Sequence, residues 1–138
     1  MRKIIDNPAG VPAPPPGRYS HVARLEIGDA VILMLSGQVA VDDDMNVVAP
    51  GDMGAQAERI FDIIGTLLAA HGASFADVVN IRSFVTDLSQ LAAYAQARAK
   101  YLPADELPTS TTVEVSRLFL PGAVLEVEVT AALPGNRT

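Results

Sequence analysis

The sequence predicts a single α+β domain, a β-sheet covered on one side by two helices, and three observations carry that prediction. The chain has 138 residues, which fits one domain, since domains most often run to about 100 to 150 residues. Hydrophobic residues make up 49% of it and charged residues 19%, a balance that supports a packed core and argues against disorder. The apolar periodicity changes along the chain in the order strand, strand, helix, strand, helix, strand, strand. Elements in that order bury their apolar faces by laying the helices on the sheet.

Residues 1–16 read as an arm ahead of the core, because Pro8 to Gly17 holds five prolines in ten positions, which disfavours helix and marks an extended stretch. Regular structure is expected from near Tyr19, within a domain spanning 17–133, with 134–138 as a tail. His21 to Leu25 and Ala30 to Leu35 are apolar runs separated by the turn pair Gly28-Asp29 and predict a β-hairpin. The second run is apolar at every position, which predicts a strand buried on both faces. From about Met53 to His71, Ile60, Ile63, Ile64, Leu67 and Leu68 recur at helical spacing, with Gly72 as the stop. Val78 to Val85 is rich in β-branched residues and predicts a strand. Asp87 and Ser89 then supply caps for a helix from about Gln90 to Tyr101, closed by Pro103. Ser110 to Val115 and Leu125 to Ala131 are the last strands. The second of these alternates Leu125, Val127 and Val129 with Glu126, Glu128 and Thr130, so one face is apolar and the other polar. A partly polar free sheet face is most simply covered by oligomerisation.

Composition narrows the function. The formal net charge is −6, which repels a polyanion, and the basic residues are scattered rather than arranged along a phosphate track. Nucleic acid is therefore not expected as a partner. The absence of cysteine excludes disulfides, thiolate ligands and a cysteine nucleophile. Neither an apolar signal stretch near Met1 nor a run of about 18 apolar residues is seen, so the expectation is a soluble, cytoplasmic protein with no membrane partner. His21 and His71 are the only histidines, and Asp42-Asp43-Asp44 is too short and unspaced for a hard-cation loop. No metal site is expected, and that acidic run reads as a solvated turn. His71, before Gly72 at a helix end, reads as structural.

Between Gly17 and Ala131 a series of short pieces recurs in a fixed order. They are Tyr19-Ser-His21, Ser36-Gly-Gln-Val39, Gly51-Asp52 with Gln56, Asp77-Val-Val79, Phe84-Val-Thr-Asp-Leu88, Pro108-Thr-Ser-Thr-Thr-Val-Glu-Val115 and Leu125-Glu-Val-Glu128. In this order and spacing they resemble the RidA family of reactive-intermediate deaminases, also called YjgF or endoribonuclease L-PSP. The resemblance implies a chorismate-mutase-like fold, with a mixed sheet, and a homotrimer whose sheets line a central barrel with three clefts between subunits. It implies hydrolysis of 2-imino and 2-amino acrylate intermediates to 2-oxo acids and ammonia in those clefts, without a cofactor. A protonated imine carbon is already electrophilic, so the protein need only orient the substrate and position one water.

The chain departs from the family at the arginine of its Pro-x-Arg-Ser motif, which grips the substrate carboxylate; here that position is Ser110. A hydroxyl donates one hydrogen bond and no charge, about 1 kcal/mol against the roughly 1.5 to 3 of a charged donor. The family's cysteine two positions on is Thr112, and its helix-two asparagine is Ala95. The standard 2-imino acid activity is thereby in doubt. The resemblance places Glu126 as the water-positioning glutamate and Tyr19 as the second catalytic residue, although a strand-face charge and a core aromatic explain them as well. Ser36, Gly37, Ser110, Thr112, Arg98 and His21 are the expected substrate-binding residues. Arg98, Arg18 and Arg82 are candidate replacement cations, although each reads first as a solvated surface arginine. Two functions remain in view: a small-molecule hydrolase retuned to an imine or enamine without a carboxylate clamp, and a non-enzymatic trimer that binds a metabolite or protein in its clefts. Endoribonuclease or translation-inhibitor activity fits the acidic charge least.

Overall fold

A computed structural model describes residues 1–137; Thr138, the last residue of the expected tail, lies outside the described residues. Six strands form one sheet in the order β1-β2-β3-β6-β4-β5. The hairpin is β2, Val22–Ile27, and β3, Ala30–Leu35. The central and far strands are β4, Val78–Val85, β5, Thr109–Glu114, and β6, Leu125–Pro134. Neighbours pair antiparallel except β4 with β5, which run parallel, as the helix-bearing crossover between them requires. The sheet is mixed, and the two helices, α1 over Met53–Ala69 and α2 over Leu91–Arg98, lie on one side of it.

One strand appears within residues 1–16, where the sequence predicts only an extended arm. Residues Arg2–Asp6 form β1 and pair antiparallel with β2, Arg2 opposite Glu26 and Asp6 opposite Val22. Five residues without alternation give no periodic signal; the strand exists because β2 offers it an unsatisfied edge. His71 Nε2 donates to Asp6 Oδ2 at 2.9 Å, tying the end of α1 to this edge. The proline stretch then returns over the core, with Pro12 buried and Val11 packed on the apolar cluster.

The core lies between sheet and helices. Ile60, Phe61, Ile64, Leu67 and Leu68 of α1 meet Val31 and Leu33 of β3, Ile81 of β4 and Val127 of β6, all buried. Asp52 caps α1 by accepting from Ala55 N at 3.1 Å, and Gln90 Oε1 accepts from Met53 N at 2.9 Å. Asp87 caps a short 3-10 turn, Leu88–Gln90, ahead of α2 rather than α2 itself, so the expected cap acts one turn early. The expectation for β3 is corrected as well. Val31, Leu33 and Leu35 are buried, but Met34 is 51% exposed, so within one chain the strand covers only its helix-side face. The acidic run is a turn in which Asp42 Oδ1 accepts from the amides of Asp44 and Asn46; these bonds, the one from Asn46 foremost, hold its carboxyl below the usual carboxylate range.

Candidate functional site

Beyond β3 the chain stays beside β6. Gln38 N donates to Val127 O at 2.8 Å and Val127 N returns the bond to Gln38 O at 3.0 Å. That pair sets Gly37 across from Glu126. A β-carbon added at Gly37 would stand 2.9 Å from both Cδ and Oε1 of Glu126, closer than non-bonded carbon atoms approach. Ser36 is fixed from the other side, its amide donating to His21 O at 2.9 Å and its hydroxyl to Ser20 O. Tyr19, Ser36, Gly37, Glu126 and Glu128 therefore meet on the uncovered face of the sheet.

They line a cavity of about 370 Å³ formed by Tyr19, Ser36, Gly37, Phe119, Glu126 and Glu128. Burial, and next the charge of Glu128, holds the Glu126 carboxyl above the usual carboxylate value. Burial and then the charge of Glu126 raise the Tyr19 phenol. One group is thus a strengthened base and the other a retained O–H donor.

His21 lies behind this cavity, 4% exposed. Its Nε2 is 2.7 Å from Pro12 O, a carbonyl that only accepts, so Nε2–H donates. Its Nδ1 is 3.3 Å from Gln38 Nε2, which also donates to Ser36 O at 3.0 Å. Both ring nitrogens are engaged within the chain, and the imidazole fixes the loop that carries Gly37. Its ring meets Tyr19 edge-on, with centroids 6.3 Å apart.

The remaining sequence-derived residues lie elsewhere. Ser110 and Thr112 sit on β5, level with Ile81 and Ser83, at the outer edge of the sheet, and both are exposed. Arg98 lies on α2 with its guanidinium 5.8 Å from the centroid of the Tyr94 ring. Arg18 is in the turn after the prolines, its amide donating to Pro15 O. Arg82 shares the uncovered face and pairs with Glu128.

A family model described as endoribonuclease L-PSP matches residues 11–133. The chain belongs to this family. Protein DfrA of Myxococcus xanthus is 33% identical over 115 residues, 83% of this chain and 85% of that protein. Among solved structures, RidA from the Antarctic bacterium Psychrobacter sp. PAMC 21119 is 30% identical with a TM-score of 0.79, covering 96% of this chain and 100% of that one. The conserved Rid family protein YyfA from Yersinia pestis is 26% identical with a TM-score of 0.83, covering 96% and 100%. The L-PSP family assignment gives the elements common ground with these folds; the side chains in the cavity belong to this chain. One of them, Phe119, escaped the sequence reading. It stands 58% exposed in the connection between β5 and β6, where Leu118-Phe119-Leu120 precedes Pro121-Gly122. An apolar triplet in a loop, outside any periodic element, is the signal that marks it.

Proposed function

We propose that this protein is a hydrolase of small C=N compounds, acting on an imine or enamine other than the usual 2-imino acids, in a cleft completed by a neighbouring copy in a homotrimer. The observation that carries this reading is the Glu126 carboxylate, half-buried beside Tyr19 and packed against Gly37. In the proposed reaction Glu126 takes a proton from water as the oxygen bonds to the protonated imine carbon. The carbinolamine then collapses: the proton returns from Glu126 to nitrogen, the Glu126 carboxylate takes the hydroxyl proton as the C–N bond breaks, and the carbonyl product leaves with ammonia, which carries that last proton away as ammonium. Tyr19 donates a hydrogen bond, and His21 holds the Ser36-Gly37 wall in place. Ser110 and Thr112, exposed on the outer strand, are available to a neighbour's cavity and bring hydroxyls rather than a charge.

The test is ammonia release from freshly generated 2-iminopropionate and from a carboxylate-free ketimine, acetophenone imine. The expected result is turnover of the ketimine, little turnover of the imino acid, and a gain on the imino acid in Ser110→Arg. Glu126→Gln is expected to abolish both. The absence of a cation among the cavity-lining residues favours a second reading, a binding protein without catalysis. A silent protein that Ser110→Arg does not awaken establishes that second reading.

A further inference from the structure

On the uncovered face Arg82 of β4 stands directly opposite Glu128 of β6, and Phe84 opposite Glu126. The Arg82 guanidinium reaches Glu128 with two nitrogens: Nε donates to Oε1 at 2.5 Å, and Nη2 contacts the same oxygen. Glu128 also lines the cavity, with Glu126, Tyr19 and Phe119, whereas Arg82 does not. The guanidinium nearest this wall by register therefore already holds a carboxylate belonging to the chain itself. A ligand carboxylate entering the cavity meets two glutamates and finds that fork engaged.

We propose that the cavity selects an organic cation, a protonated imine or primary ammonium carried on an apolar body, and that Glu128 sets this selectivity by occupying Arg82. The proposal rests on the reading above that this cavity is the ligand site, and it adds the charge class of the ligand. Two features fit the ligand's two ends. Glu126, and Oε2 of Glu128, which takes neither guanidinium bond, accept N–H donors. The exposed Phe119 ring and the Tyr19 ring offer an apolar and cation-binding surface. A cation also relieves the repulsion between two carboxylates on alternate positions of one strand, which adds to burial, the larger cause, in raising the Glu126 carboxyl.

Calorimetric titration with 2-phenylethylamine and 3-phenylpropionate, which pair one aryl-alkyl body with opposite charges, tests this at neutral pH and low salt. The unmodified protein is expected to bind the amine at least about tenfold more tightly than the acid, a difference one retained or lost charged hydrogen bond accounts for. In Glu128→Gln the preference should fall by about tenfold or invert, because the amine loses an acceptor while Arg82 is released to the acid. In Arg82→Ala it should grow, because Glu128 loses its partner. Equal binding, preference for the acid, binding of neither probe at millimolar concentration, or an unchanged preference in Glu128→Gln overturns the proposal. Turnover separates the two readings. Amine selectivity without hydrolysis of any imine sinks the hydrolase reading alone, and hydrolysis accompanied by preference for the acid sinks this inference alone.

Discussion

The close approach of Gly37 to Glu126 makes a prediction about each residue. Gly37 has no positive φ, so alanine is acceptable to the backbone, and the atoms it would crowd are the far end of a side chain. Gly37→Ala is therefore expected to leave stability within about 1 kcal/mol while displacing the carboxylate, with turnover down roughly 10- to 100-fold. A loss of folding with no loss of specific activity would show that the glycine serves the backbone instead. Glu126 carries a pH signature. Its carboxyl is held above the ordinary 4.5, so the folded chain binds a proton that the unfolded chain has released. That contribution to stability is complete below the ordinary value and is lost as pH rises through the folded one. Glu126→Gln, which keeps the neutral shape, should thus raise the thermal midpoint near neutral pH, with the gain vanishing toward about pH 4; a lowered midpoint at neutral pH would mean that the charged form is the better-held one. Tyr19, Ser36, Gly37 and Glu126 were legible through the order of short pieces around them. The Arg82–Glu128 pair was not, because two strands distant in sequence create it, and Phe119 was not, because a loop residue has no period to betray it.

Entry into α1 is governed by one buried amide. Gln56, 0% exposed, donates through Nε2 to Ala49 O at 3.1 Å and Gly122 O at 2.9 Å, and its Oε1 accepts from Val124 N at 2.9 Å. Ala49 sits in the left-handed region at φ 46, a conformation that needs such an anchor. Gln56→Ala would leave Val124 N without its partner and would take one of two bonds from Ala49 O and Gly122 O, which keep the amides of Asp52 and Gly51. A loss of about 3 kcal/mol is expected, read as a melting shift on the order of 10 °C; a shift under about 2 °C would mean that water replaces the amide fully. Gly51-Asp52 and Gln56 stood out in the sequence, and the helix spacing of Ile60 to Leu68 placed α1 correctly. What remained hidden at this scale were partnerships: β1 is a strand only because β2 lacks a neighbour, and Asp87 caps the 3-10 turn Leu88–Gln90 that leads into α2 rather than α2 itself.

At the scale of the molecule, the unbroken apolar run of β3 predicts cover on both sides, and the single chain covers one. The other side shows Ile5, Ile27 and Met34, each about half exposed, beside Ile32 and the Arg82–Glu128 pair, and β5 leaves its outer edge without a strand. Apolar side chains on a sheet face and an unpaired edge together make a surface that associates. The proposed homotrimer would answer both needs with one repeated contact, and in it the Ser110 edge of one copy would face the Glu126 cavity of the next. Light scattering should then give about three times the 14.5 kDa chain mass. Met34→Glu, which sets a charge on the face opposite the helices where the side chain is 51% exposed, should leave the monomer fold intact and shift the mass toward one chain. Turnover should fall with the assembly, since Ser110 and Thr112 lie exposed on the outer strand and would reach the cavity from a neighbour in the proposed trimer. If Met34→Glu gives fully active monomers, the cavity of Tyr19, Ser36, Gly37, Phe119, Glu126 and Glu128 is sufficient by itself, and the serine at position 110 has no bearing on which ligand it takes.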